Sequence, residues 1–169
     1  MIEIEVAIED ILIAKQQVSA FEKTDAGSWR YTDVEAWRGI VCEMMVSRWF
    51  ESNYKVEIPS KGLDTSGNVD DYDFVLGGKK FEIKSATKNY FKFIMPKIHD
   101  VDSHPKDFYI AAKYNETVEP NKVYLLGYLT GAEINKFPKK QNKGAPYYEV
   151  PISEFRDIEG LKLLFEWQK

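Results

Sequence analysis

Two consecutive glycines near the middle of the chain constrain its fold more than any other feature. Gly77 and Gly78 separate the segment 73–76, Asp-Phe-Val-Leu, from the segment 79–84, Lys-Lys-Phe-Glu-Ile-Lys. Glycine readily adopts the positive φ angles of a two-residue turn, so this pattern predicts a β-hairpin. Pairing outward from the turn then joins Leu76 to Lys79, Val75 to Lys80, Phe74 to Phe81 and Asp73 to Glu82.

This hairpin has one apolar face and one charged face, because side chains alternate along a strand. The apolar face carries Phe74, Leu76, Phe81 and Ile83. The other face carries Asp73, Val75, Lys80, Glu82 and Lys84. Opposed carboxylates destabilise a sheet by about 0.2–1 kcal/mol. A divalent cation between them removes the repulsion, but nearby lysines on a solvated face also offset it. The pattern therefore leaves a metal site and a plain charged face open.

A helix upstream of the hairpin carries a third carboxylate. Thr32 and Glu35 have the spacing of a capping box, which predicts a helix over about 33–52. Its expected buried stripe consists of Val34, Trp37, Val41, Met44, Met45 and Trp49. Glu43 has no basic residue three or four positions away, and the residues on its edge of the helix are small. Such a glutamate faces either a metal or the solvent.

The other segments predict a single α/β domain over residues 1–169, with no internal linker. Helices are expected at about 6–21 and 158–167, and a helical turn at 133–137. Strands are expected at about 55–58, 90–95, 107–114, 122–129 and 147–150. In the strand 90–95 we expect Phe91, Phe93 and Met95 to face the core. Segments 59–70, 99–104 and 139–146 are expected to be irregular.

The charges of the chain give two opposing indications about nucleic-acid binding. The net charge of −4 argues mildly against non-specific nucleic-acid binding. Two lysine clusters nevertheless stand out: Lys79, Lys80, Lys84, Lys88, Lys92 and Lys97, and then Lys136, Lys139, Lys140 and Lys143. Such clusters either attract a phosphate backbone or solubilise the edges of a sheet.

The sequence favours a cytoplasmic protein outside the membrane. Its apolar runs are shorter than the roughly 18 residues that a transmembrane helix needs. The N-terminus lacks the pattern of a secretory signal. Cys42 is the only cysteine, which fits a reducing compartment.

The combination of Glu43 on a helix, Asp73 at the start of one strand and Glu82-Ile83-Lys84 in the next resembles the PD-(D/E)XK nuclease superfamily. The resemblance covers about residues 33–130 and implies a restriction-endonuclease-like fold, an α/β mixed sheet flanked by helices. The N-terminal helix and the C-terminal tail are additions to that core. Tyr72 stands where the family's name has proline. Asp71 is an alternative to Asp73 as the acid of the motif.

The resemblance implies a Mg²⁺-dependent deoxyribonuclease, in which Mn²⁺ can substitute. Asp73, Glu82 and the carbonyl of Ile83 then bind the metal, and Glu43 holds a metal-bound water or a second ion. Lys84 orients or deprotonates the attacking water, or neutralises developing charge. The expected DNA contacts are Lys80, Lys88, Tyr90 and Lys92.

The function that follows is a DNA endonuclease of restriction or phage type, which can act as a homodimer to cut two strands. One alternative is a Holliday-junction or repair nuclease with the same site. Another is a catalytically silent module that binds nucleic acid or inhibits a DNA-binding protein. An inhibitor of that kind predicts neither metal binding nor cleavage. His99, Asp100, Asp102 and His104 form a second, weaker candidate ligand set for a metal.

Overall fold

A mixed, curled sheet packed against helices forms the body of this α/β protein. The computed structural model describes residues 1–22, 36–57, 72–88, 92–141 and 144–165. Within them the strands are β1 (Ile2–Glu5), β2 (Val56–Glu57), β3 (Phe74–Leu76), β4 (Lys79–Ala86), β5 (Phe93–Ile94), β6 (Phe108–Tyr114), β7 (Lys122–Thr130), β8 (Lys139–Lys140), β9 (Tyr147–Tyr148) and β10 (Val150–Pro151). The helices are α1 (Ile8–Glu22), α2 (Trp37–Asn53), α3 (Ile98–Ser103), α4 (Gly131–Ile134) and α5 (Glu159–Phe165), with a 3₁₀ turn at Ile152–Glu154. No described helix combines the length and the apolar character that crossing a bilayer requires.

The main sheet has the strand order β1-β7-β6-β4-β3-β2 across the described ranges. Strands β4 and β6 run parallel, and the other neighbouring pairs run antiparallel. Strand β2, only two residues long, ends the sheet beside β3. Two short ribbons, β5 with β10 and β8 with β9, lie outside this sheet.

The predicted hairpin is confirmed in its turn and in three of its four predicted pairs, whereas Asp73 and Glu82 do not pair in the ladder. Gly77 and Gly78 have φ angles of 57° and 73°, in the region that glycine adopts without a steric penalty. Phe74 pairs with Phe81, Val75 with Lys80 and Leu76 with Lys79. The apolar face is buried as expected, and the Phe74 and Phe81 rings stack with their centroids 4.7 Å apart.

Helix α2 covers this apolar face, with Phe50 packed on Phe74 at a centroid distance of 4.6 Å. Its buried residues are Trp37, Val41, Cys42, Met45, Val46, Ser47 and Phe50. The predicted stripe was partly wrong, since Met44 and Trp49 are only half-buried. The buried sector is shifted and widened because α1 also packs on α2, where Lys15 lies over the Trp37 ring. The predicted cap at Thr32 and Glu35, and Val34 of the stripe, lie outside the described residues.

The opposite face of the sheet carries two smaller apolar clusters. One contains Val101, Tyr109, Leu129, Ile134, Tyr148 and Val150. The other contains Ala86, Ile94 and Ala111. Helix α3, helix α4 and the short ribbons supply the residues that cover this face, so both faces of β4 and β6 are packed.

Several expectations for the periphery were wrong. Segment 99–104, expected to be irregular, contains most of helix α3. Phe93 and Met95 are 38% and 41% exposed, whereas Ile94 is buried, because β5 pairs with β10 and turns only Ile94 toward the cluster around Ala86. Lys139 and Lys140, expected in a loop, pair with β9. Strand β1 was not expected at all. It pairs with β7, which follows it by more than a hundred residues.

Candidate metal centre

The pairing of β3 with β4 stops at Asp73, whose side chain accepts a hydrogen bond from the backbone of β4 in place of a backbone carbonyl. The Asp73 N–H donates to the carbonyl of Phe81 at 2.8 Å. Its carboxylate oxygen Oδ2 accepts a hydrogen bond from the N–H of Ile83 at 2.5 Å. Only 8% of Asp73 is exposed. A carboxylate therefore lies buried where a further residue of β3 would otherwise have paired with β4.

The backbone of Ile83 borders the gap that β3 leaves. In an antiparallel pair, a residue that directs its N–H toward the neighbouring strand also directs its C=O there. Since the Ile83 N–H points to Asp73, its carbonyl points to the same gap. The side chain of Ile83 is buried on the opposite, apolar face under α2. Asp73 and the Ile83 backbone thus meet at one place.

Glu82 and Lys84 share the charged face of β4. Their side chains form an ion pair, with Nζ of Lys84 2.5 Å from Oε1 of Glu82. Burial raises the pKa of the Glu82 carboxyl; the charge of Asp73 raises it further, while Lys84 and the more distant Lys106 lower it. Two carboxylates of like charge are therefore close enough to repel each other.

Lys84 is held as a cation in this arrangement. Burial by itself lowers the pKa of its ammonium, but the charge and hydrogen bond of Glu82, with the charges of Asp73 and Asp100, outweigh it and raise that pKa. A general base needs a lowered pKa. Of the roles that the resemblance implied for Lys84, this environment favours the neutralisation of negative charge.

The donors at this place suit a hard cation. Carboxylate and carbonyl oxygens are the ligands of Mg²⁺, which commonly uses one or two carboxylates and completes its shell with water and phosphate oxygens. Among the described residues, no group of three or more His, Cys, Asp or Glu comes together as a metal site. The fit is therefore to a two-carboxylate site of Asp73 and Glu82 with the Ile83 carbonyl.

Glu43 lies on α2, over the other face of the sheet from Glu82. Gly39 of the same helix faces Ser85 of β4, since a Cβ added at Gly39 would lie 3.6 Å from the Ser85 hydroxyl. Helix α2 runs antiparallel to β4, with Phe50 near Phe81. Glu43 follows Cys42, whose thiol is hydrogen-bonded with Ser85, and the side chain of Glu43 is half-buried.

The predicted DNA contacts are spread over different parts of the surface. Lys80 is exposed beside the hairpin turn, with its ammonium 5.0 Å from the centre of the Tyr72 ring. Lys88 is half-buried just after β4, and Lys92 is exposed just before β5. Tyr90 and the alternative acid Asp71 lie outside the described residues. The structure thus brings Asp73, Glu82, Ile83 and Lys84 together, but not these lysines.

The second candidate ligand set, His99, Asp100, Asp102 and His104, does not come together as a metal site. The rings of His99 and His104 pack edge to face with centroids 5.8 Å apart. Asp102 is engaged by the hydroxyl of Tyr148 and by Lys139. As stated above, no group of three such ligands converges among the described residues.

Sequence reasoning missed two polar residues near Glu82. Tyr109 is the partner of Glu82 on the parallel strand β6, and Lys106 lies just before that strand. Lys106 is buried and donates to the carbonyl of His104. Tyr109 sits in the run Phe-Tyr-Ile-Ala-Ala, which simply indicates a buried strand. Only the pairing of β4 with β6 could have placed it here.

The chain matches no protein-family model, and no curated protein matches its sequence.

Proposed function

We propose that this protein is a metal-dependent DNA endonuclease that hydrolyses phosphodiester bonds. The observation that carries the proposal is the meeting of Asp73, Glu82 and Lys84 beside the open end of β3. A purely structural strand end needs one acceptor for the Ile83 N–H, which Asp73 provides. It does not need a second, partly buried carboxylate whose protonation the first one promotes. A cation site between two carboxylates with an adjacent ammonium accounts for all three groups.

These residues match the needs of phosphodiester hydrolysis. Water adds to phosphorus, one P–O bond breaks, and the products are a phosphomonoester end and a hydroxyl end. Asp73, Glu82 and the Ile83 carbonyl would hold Mg²⁺, which supplies Lewis-acid charge at the phosphoryl group. The Lys84 ammonium donates hydrogen bonds to a non-bridging phosphate oxygen and stabilises the charge that develops there.

Exposed lysines elsewhere on the surface also favour a polyanionic substrate. Lys79 and Lys80 are exposed at the turn of the hairpin, and Lys92 and Lys97 are exposed at either end of β5. Positive side chains on the surface attract the phosphate backbone in spite of a negative total charge. Binding through such contacts depends strongly on salt concentration.

The experiment is a cleavage assay on supercoiled plasmid, linear duplex, single strands and a four-way junction, each in Mg²⁺, Mn²⁺ or EDTA. Cleavage that requires the cation supports the proposal. The preferred substrate then separates a restriction-type enzyme from a junction-resolving one. DNA binding without cleavage in any cation would instead support the silent binding module.

Three variants and one matched control sharpen this assay. Asp73→Asn keeps an acceptor for the Ile83 N–H but removes the negative charge. Glu82→Gln removes the negative charge of the second carboxylate, and Lys84→Met removes the ammonium. The control is Lys122→Met, which breaks an exposed ion pair with Glu3 between β1 and β7, on the other side of the sheet. We expect the three site variants to lose cleavage and Lys122→Met to retain it. Equal activity in all four would contradict the assignment.

A further inference from the structure

The phenol of Tyr109 is buried beside the candidate metal centre. Only 2% of Tyr109 is exposed, and its hydroxyl has no hydrogen-bond partner among the described residues. Buried polar groups are nearly always paired, because leaving one unpaired loses its hydrogen bonds to water. Such a group in a native protein calls for a partner, which can be a water, an ion or a side chain that reaches it in another state of the molecule.

Glu82 is the nearest candidate for that partner. Glu82 and Tyr109 are register partners on the parallel strands β4 and β6, and their side chains therefore lie next to each other on one face. A phenol is protonated at neutral pH, so Tyr109 has a hydrogen to donate.

In this structure Glu82 accepts a hydrogen bond from Lys84 and not from Tyr109. The Lys84 ammonium is bonded to Oε1 of Glu82, a contact between two residues of the same strand. A divalent cation at Asp73 and Glu82 competes with Lys84 for the same carboxylate oxygens. Once Lys84 is displaced, Glu82 has one oxygen for the cation and the other for a donor on the protein.

We propose that Tyr109 is a positioning residue that donates its hydroxyl hydrogen to Glu82 when a divalent cation replaces Lys84 on that carboxylate. This inference rests on the proposed metal site. It adds an exchange in which Lys84 leaves Glu82, becomes available to the scissile phosphate, and is replaced by the cation and the phenol. Partners that orient a metal-bound carboxylate are often as important as the ligands themselves.

The test compares Tyr109→Phe with Tyr148→Phe. Both tyrosines are buried in the same apolar cluster, but the Tyr148 hydroxyl already donates to Asp102 at 2.7 Å. Mn²⁺ and Mg²⁺ binding is measured by titration calorimetry on the intact protein, and the unfolding temperature is measured in EDTA. We expect Tyr109→Phe to weaken cation binding by about 10-fold or more, with an unfolding temperature in EDTA equal to or above that of the wild type.

The matched variant is expected to behave in the opposite way. Tyr148→Phe loses a formed hydrogen bond, so its unfolding temperature falls while its cation affinity stays that of the wild type. In the cleavage assay, Tyr109→Phe should lower kcat and leave KM for DNA unchanged, because the phenol acts through Glu82.

The two proposals fail in different ways. If the wild type binds cation and Tyr109→Phe binds it equally well, the role of Tyr109 is wrong and the metal site stands. If Tyr109→Phe lowers the unfolding temperature in EDTA as much as Tyr148→Phe does, the phenol is already paired and the exchange is also wrong. If the wild type binds neither cation, the metal site and the inference fail together.

Discussion

The N–H of Ile83 donates to the carboxylate of Asp73 at the residue where strand β3 stops. The Asp73 carboxylate is therefore the acceptor that a backbone carbonyl would have been if β3 had continued. The same contact brings Asp73 toward Glu82, the residue that precedes Ile83 in β4. Asp73 therefore has a structural task and a proposed catalytic one, and substitutions can separate the two.

Replacing Asp73 tests this double task through stability. Asp73→Ala leaves the Ile83 N–H without its acceptor, and we expect the free energy of unfolding to fall by about 1–3 kcal/mol. Asp73→Asn keeps an amide oxygen in place and should cost clearly less. Urea unfolding followed by circular dichroism measures both. Equal losses in the two variants would mean that the charge, and not the acceptor, stabilises this strand end.

The Glu82–Lys84 pair should be strongly coupled. Lys84→Met leaves a partly buried carboxylate without its nearest cation and should lower the free energy of unfolding by about 1–3 kcal/mol. Adding Glu82→Gln removes that stranded charge, so the double variant should recover most of the loss. A double-mutant cycle from urea unfolding gives the coupling energy directly. Purely additive losses would show that the ion pair contributes nothing in solution.

A carboxylate away from the site gives a test in acid. Hydrogen bonds from Arg156 and from Thr130 outweigh a smaller effect of burial and lower the pKa of Glu133 from 4.5 to about 2. A lowered pKa stabilises the folded state fully above the ordinary value of 4.5, and this contribution is lost as the pH falls through about 2.

The measurement compares wild type with Glu133→Gln by urea unfolding from neutral to acid pH. The stability difference between them should be constant above about pH 5 and shrink toward zero on the way to pH 2. A difference that does not change with pH would contradict the ion pair of Glu133 with Arg156, in which the closest atoms are 2.6 Å apart.

Cys42 offers a probe of the packing of α2 on β4. Burial raises the pKa of its thiol to about 12, in spite of a hydrogen bond with Ser85 that lowers it, and the nearby Glu43 raises it slightly further. The thiolate is the reactive form, so the native protein should not react with a thiol reagent at pH 8. Adding urea should expose this single cysteine, and one equivalent of a chromogenic thiol reagent should then react with each protein molecule. Fast reaction of the native protein would show that α2 opens locally.

The sequence predicts the hairpin well because the information is local. Two glycines determine the turn, and the alternation of Phe81, Glu82, Ile83 and Lys84 then determines which side chains share a face. The pairing of Phe74 with Phe81 followed from the same turn. Strong local signals of this kind do not depend on the rest of the fold.

Features that depend on distant partners could not be predicted in this way. Strand β1 has only four residues, Ile-Glu-Ile-Glu, and exists because β7 pairs with it from more than a hundred residues away. The buried side of α2 depends on α1 as well as on the sheet, which hid the roles of Cys42 and Phe50. Tyr109 joins the site only because β6 lies parallel to β4.

The most direct test of the proposed function is the rate at which the protein nicks a supercoiled plasmid in Mg²⁺. We expect nicking by the wild type and by Lys122→Met, none in EDTA, and a loss of about 100-fold or more in Glu82→Gln. A wild type that leaves the plasmid intact in Mg²⁺ and Mn²⁺, or a Glu82→Gln variant that nicks it at the wild-type rate, would contradict a metal-dependent nuclease at this site.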